Sequence, residues 1–246
     1  MAGESPADRK PPFHLEFGGY VNRVDRGYGT WQGADIQVRY SGFKFAAPFA
    51  SAITQSRPNA SQPSFGVGSY LFLHPHFYSI VSASYAPDRP MPVYPKYRYD
   101  VLGCFIVPKK TQLVLTTGYT QYQLKPGATR VLSAGAIYYY KRAVVSGGIN
   151  FNEVNPGKHR SQSGQFAFMY GREGQFWVGA GVNGGRVAYP SVASLPFDVR
   201  FDSIGSYVFA RRWLRRNFGV LARYDFMQML DAYQSNAINL GLFFDF

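Results

Sequence analysis

A single cysteine, Cys104, stands in 246 residues, so no intramolecular disulfide can form and the fold must rest on packing and hydrogen bonds. Charge is scarce as well: Asp, Glu, Lys and Arg make up 16% of the chain, where a quarter is usual. Acid is the scarcer sign, with 14 Asp+Glu against 26 Lys+Arg and a net charge of +12. No apolar run reaches the ~18 residues of a membrane-spanning helix, because Gly, Pro or a charge interrupts each one; a transmembrane helix is excluded. The opening MAGESPADRKPP lacks the apolar core of a signal peptide, so any export signal is expected to have been removed or never present. Zinc-ligand spacings, phosphate-loop glycine motifs and basic helices are missing too. No metal, no cofactor and no nucleic-acid partner is therefore expected, despite the positive charge.

What is abundant is glycine (26) and aromatic residues (Tyr 19, Phe 21, Trp 3), arranged with period 2. Near the start, Phe13, Leu15, Phe17, Gly19 and Val21 oppose His14, Glu16, Gly18, Tyr20 and Asn22; then Ala34, Ile36, Val38 and Tyr40 oppose Asp35, Gln37 and Arg39. At the end, Ile238, Leu240, Leu242, Phe244 and Phe246 alternate with Asn239, Gly241, Phe243 and Asp245. Eleven further segments from Phe43 to Phe226 share the rhythm, which predicts about fourteen strands. Tight connections (Ser41-Gly42, His74–His76, Pro108–Lys110, Lys141-Arg142, Gly171–Gly174) are expected to alternate with wide ones (Ser56–Ser64, Ala86–Lys96, Glu153–Arg160, Gly184–Pro196).

A soluble sandwich would hide its aromatic residues and show Lys, Glu and Thr outside. Here the polar face carries Gly, Ser, Asn, Gln and paired charges. That suits a barrel turned inside out, with an apolar band toward lipid, aromatic girdles at both interfaces and a polar lumen. The expected fold is all-β: one closed antiparallel transmembrane β-barrel of about 14 strands in an up-and-down meander, spanning residues 13–246 after a flexible segment 1–12. Long loops would lie outside the cell and short turns in the periplasm.

Two stretches carry a family resemblance. FGGYVNRVDRGYGTWQGADIQVRY (Phe17–Tyr40) resembles the opening hairpin of YaiO-family outer-membrane β-barrel proteins, and INLGLFFDF (Ile238–Phe246) resembles the C-terminal signal read by barrel-assembly machinery, with Phe244 and Phe246 as its aromatic positions. The resemblance implies a bacterial outer-membrane location, assembly-machinery and lipid partners, and a link to polysaccharide secretion. It brings no catalytic residue.

By alternation His14, Glu16, Asp35, Arg39, Arg98, Asp100, Arg200, Asp202, Arg223, Asp225 and Asp245 are expected to line the lumen as one mixed-charge wall. They would either sort solutes by charge or form a salt-bridged filling. Inward Tyr20, Trp177, Leu221 and Phe243 would narrow the passage. Lys44, Lys109, Lys110, Lys141, Arg142, Arg172, Arg211, Arg212, Arg215 and Arg216 gather at the short turns with Glu173. This periplasmic basic rim would attract an anionic polymer or an acidic partner, or anchor to lipid headgroups. Tyr94, Tyr97, Tyr99, Tyr138, Tyr139 and Tyr140 are candidates for stacking on sugars or for the interfacial girdle. The histidines lack a nucleophile at suitable spacing: Ser79 shares the lipid face with Phe77, and His159 lies in a basic loop. The functional expectation is a non-enzymatic pore or docking component for a polymer, such as an anionic exopolysaccharide, or for small solutes. The alternatives are a barrel hydrolase acting on lipid or peptide and a closed structural or adhesion barrel.

Overall fold

The computed structural model describes residues 11–124, 127–155, 159–186, 202–230 and 233–246. Its strands are β1 (Phe13–Val24), β2 (Gly29–Tyr40), β3 (Ala46–Arg57), β4 (Ala60–His74), β5 (Phe77–Tyr85), β6 (Tyr97–Ile106) and β7 (Leu113–Leu124). They continue as β8 (Gly127–Tyr140), β9 (Ala143–Asn155), β10 (His159–Arg172), β11 (Phe176–Arg186), β12 (Asp202–Arg215), β13 (Phe218–Met229) and β14 (Tyr233–Asp245). Each pairs antiparallel with its neighbours in sequence, and β1 pairs with β14, so fourteen strands close into a barrel. Closure leaves no unpaired edge, the condition a sheet must meet in hydrocarbon, where no water can satisfy a free N–H or C=O.

The seam runs from His14↔Asp245 to Val24↔Ser235. Beyond it, Phe13 and Phe246 exchange two backbone hydrogen bonds of 2.9 Å and stack their rings at 5.6 Å. Phe244 packs in turn on Phe218 (4.8 Å) and Phe17 (6.2 Å), so both aromatic positions of the C-terminal stretch tie the seam to its flanking strands.

Because side chains alternate, the register carries one inward face around the whole ring. Outward lie Val21, Ile36, Val67, Leu132, Phe166, Val182, Ile204, Ile238 and Leu240, the last 61% exposed. An apolar surface that encircles the molecule is far beyond what a water-soluble monomer shows, and marks the lipid-facing band. Strands of 9 to 15 residues meet the ~9–11 needed to cross the hydrocarbon, and most run past it. The extra length corrects the expected short-and-long rhythm. β3 and β4 run on until only Pro58 and Asn59 join them, and β9 and β10 consume most of Glu153–Arg160. The connection Ala86–Lys96 does remain long. Segment 1–10 and the stretch between β11 and β12 lie outside the described residues.

Large inward rings are accommodated by a repeated device. Tyr20 sits directly opposite Gly33, Phe49 opposite Gly68, Phe209 opposite Gly179, Tyr207 opposite Gly181 and Phe243 opposite Gly219. In each pair a Cβ added to the glycine would run into the partner's ring. Each ring therefore lies over the bare backbone of the next strand, filling the space a side chain would take. At Gly219 the added Cβ would also meet the Arg212 carbonyl, which cannot swing away. Gly219→Val is accordingly expected to destabilise the barrel by about 1–3 kcal/mol or more. Gly147→Ala, whose new methyl would be 3.6 Å from its nearest neighbour, should be tolerated. Urea titration of the detergent-folded barrel, read as loss of the heat-modifiable gel band, checks both.

Candidate functional site

The lumen is the candidate site, and its charged groups occur as separate built clusters. At the end bearing both termini, His14 Nδ1 donates to Asp245 Oδ1 at 2.6 Å, and Arg211 Nη2 donates to His14 Nε2 at 3.2 Å. Glu16 Oε2 takes Arg211 Nη1 at 3.0 Å and stands 3.4 Å from His14 Nε2. The Arg211 guanidinium lies 3.9 Å above the Phe243 ring and 5.2 Å from that of Trp213, and Phe243 is fully buried beneath it. Among the described residues, His14 has two carboxylates and a guanidinium as its polar partners. Arg39 faces inward directly across from His14.

Midway along β13, Arg223 holds Asp225 with Nε at 2.8 and 2.9 Å and Nη2 at 2.6 Å, while its guanidinium covers Tyr207 at 4.1 Å. On β6, Arg98 grips Asp100 with Nε at 2.7 Å and Nη2 at 2.9 Å; Thr120 Oγ1 (2.7 Å) and Ser82 Oγ (3.3 Å) donate to the same carboxylate. β6 lies halfway round the ring from β13. The expected single wall of mixed charge is thus corrected to two facing walls. Between them β7–β10 present Thr120, Thr129, Asn150, Asn152 and Ser163, a buried hydroxyl and amide surface.

Two residue assignments change for one reason. In β12 the inward positions are Ser203, Gly205, Tyr207, Phe209 and Arg211, since Ser203 pairs with Met229 and Gly205 with Met227 of the lumen face. Asp202 therefore shares the outward parity of Ile204 and Val208, and does not line the lumen. Arg211, expected on the rim, is a lumen residue. Tyr207 and Phe209 look lipid-facing in sequence because the glycines that receive them sit on another strand. Arg200 lies outside the described residues.

The far mouth is lined differently. Val24, Trp31, Met227, Met229 and Tyr233 form an apolar inward cluster, with the Arg57 guanidinium 4.0 Å over Trp31. The β5–β6 connection folds in against Ile53 and Ala60, burying Ala86, Val93 and Tyr94. Gln62 clamps it: its Oε1 accepts from Val93 N (2.6 Å) and Tyr94 N (2.9 Å), and its Nε2 donates to Pro87 O (2.6 Å). Burial pushes the Tyr94 phenol above its ordinary range, and Asp88, 2.6 Å away, raises the exposed Lys96 ammonium. Tyr94 thus belongs to the folded-in loop and Tyr139 to the inward parity, paired with buried Val144, whereas Tyr97, Tyr99, Tyr138 and Tyr140 stand outward. The Gln62 clamp carries no motif and was not read from the sequence. Its only trace there is a glutamine on the inward parity of a strand before a proline-rich loop.

Lys44, Lys109, Lys110, Lys141, Arg142, Arg172, Arg212, Arg215 and Arg216 are exposed at the end that bears the C-terminus and the start of β1. Lys109 and Lys141 take positive φ (65° and 54°) in their turns, so the basic residues are also the turn residues.

A closed fourteen-stranded meander with a lipid-facing apolar belt and a polar, ion-paired interior defines a bacterial outer-membrane β-barrel of porin-like form. The family model for the YaiO membrane beta barrel domain matches residues 13–190, and the chain belongs to that family. No curated protein sequence matches it. Among solved structures it is similar in fold to a bacterial polysaccharide outer membrane secretin (TM-score 0.65, 8% identity, 97% of this chain and 100% of that one). It is also similar to the outer membrane protein Omp33 of Acinetobacter baumannii (TM-score 0.55, 16% identity, 96% and 99%). A third likeness is the anion-selective porin of Comamonas acidovorans (TM-score 0.50, 8% identity, 95% and 98%).

The Asp225 side chain is 3% exposed and depends on Arg223, whereas Arg160 beside Glu153 is 81% exposed. Arg223→Gln leaves a buried carboxylate without its cation and should cost about 3–5 kcal/mol. Arg160→Gln should cost less than about 1 kcal/mol. Equilibrium unfolding in lipid vesicles measures both.

Proposed function

We propose that this barrel is a non-enzymatic outer-membrane component through which a polysaccharide chain passes or on which it docks. The observation that carries the reading is the make-up of the inner wall: rings laid over glycines beside amides and hydroxyls, with most of the charges held in ion pairs. A sugar offers an apolar C–H face to such a ring and hydroxyl edges to such amides. A filter for small ions would instead present unpaired charge of one sign to the permeating species. The fold shared with a polysaccharide secretin supports the reading.

The basic excess belongs to the rim. On the described strands the inward Glu16, Asp35, Asp100, Asp225 and Asp245 balance Arg39, Arg57, Arg98, Arg211 and Arg223. An acidic periplasmic partner at the rim fits this division better than a strongly anionic chain in the lumen, because the rim's field reaches outward while the lumen's charges cancel.

Reconstitution into planar bilayers tests the proposal. The barrel should conduct, and neutral oligosaccharides should block the current reversibly without being cleaved. Gln62→Ala, by freeing the folded-in loop, should raise single-channel conductance. A barrel that conducts equally with and without saccharide, or that hydrolyses it, overturns the reading.

A further inference from the structure

Between the terminal ion-paired cluster and Arg223 the inner wall has a hollow. Its floor is Gly18 on β1, continued by Asp35 on one side and, on the other, by Leu221, whose side chain lies over Gly241, the β14 residue directly opposite Gly18. A Cβ on Gly18 would stand 3.0 Å from the Leu240 carbonyl, and one on Gly241 2.8 Å from the Phe17 carbonyl, so neither glycine can be replaced by a wall-filling side chain at no cost. The cavity measures about 210 Å³, roughly seven waters' share of liquid volume, which is room for one six-membered ring.

Its lining is divided by chemistry. Acceptors stand on the β1–β2 side. The Asp35 carboxylate has no cation at ion-pair distance among the described residues, and Glu16 lies within electrostatic reach of it. Asn239, 8% exposed and lining the same hollow, keeps its Oδ1 buried without a hydrogen-bond partner. Donors stand on the β12–β13 side as Arg211 and Arg223, each fixed by its own carboxylate. Leu221 provides an apolar surface between the two sides. A buried acceptor left unpaired carries a desolvation cost that a ligand donor would recover.

We infer that this hollow is a subsite for one neutral glycosyl unit, an inference that rests on the polysaccharide reading and narrows its substrate class. A hydroxylated ring can donate along one edge to Asp35, Glu16 and Asn239, accept along the other from the two guanidinium groups, and lay its C–H face on Leu221. A uronic acid would meet the unpaired Asp35 carboxylate, and an amino sugar would meet the guanidinium side. Either charge is opposed by one wall.

Calorimetric titration of the detergent-folded full chain provides the test, since binding requires no passage. The probes are cellotetraose, maltotetraose, tetragalacturonate and the glucosamine tetramer, with heat-modifiability confirming that each variant is folded. A neutral tetraose should bind most tightly. Asp35→Asn should weaken it about tenfold and reduce the discrimination against tetragalacturonate, and Asn239→Leu should weaken it as well. Arg160→Gln should leave it unchanged. Failure of both neutral tetraoses to bind, tightest binding of a charged probe, or an unaltered affinity in folded Asp35→Asn overturns the subsite. The outcomes separate the two proposals. Conductance block without Asp35-dependent binding preserves the polysaccharide reading alone, and Asp35-dependent binding without block or transport preserves the subsite alone.

Discussion

Everything in this molecule follows from the demand that each backbone N–H and C=O in the bilayer find its partner inside the protein. A sheet meets that demand only by closing, and the closing pair here is β1 with β14, joined along its whole length and finished by the reciprocal Phe13–Phe246 bonds. Closure in turn fixes which residues face inward on all strands at once. It also brings the first two strands beside the last three, so Glu16 from the start of the chain meets Arg211 from near its end. The ion-paired cluster and the hollow above it are products of the ring closure, assembled from segments some two hundred residues apart.

Inside the ring, a second constraint is volume. Inward space is limited, and at five places the wall sets a broad ring against a bare glycine of the next strand. At Gly18, which faces another glycine across the seam, no ring covers the backbone and a hollow results. Arginine adds to the same geometry: the Arg223 and Arg211 planes lie over Tyr207 and Phe243 while their donors hold carboxylates, so cation–π contact and ion pairing fix one orientation together.

Much of this was legible in the sequence because alternation is a local property. The lipid face of Ile238–Phe246 and the inward places of His14, Glu16, Asp35, Arg223 and Asp225 needed only a count by twos. What escaped was non-local. The parity of β12 depends on Gly179 and Gly181, which belong to β11 and receive Phe209 and Tyr207; without them those rings read as lipid-facing, Asp202 moves inward and Arg211 moves to the rim. Strand length was also hidden, because Ser56–Ser64 and Glu153–Arg160 are polar on both faces once the strands leave the membrane and so resemble loops. The Gln62 clamp required knowing that residues 86–96 turn back into the barrel, which neither periodicity nor charge records.

The ring-over-glycine pairs have a consequence for how such a chain can change over time. In each pair one position is empty because its partner is full, so neither can drift by itself: a side chain added at Gly181 collides with Tyr207, and a smaller residue at 207 uncovers bare backbone. Variation at these places must proceed two positions at a time, across a strand boundary and across 13 to 30 residues of sequence. The inner wall then behaves as a set of coupled digits more than as a row of independent residues. A lineage could move a ring from one strand to its neighbour, and so reshape the passage, while keeping the barrel's packing volume constant.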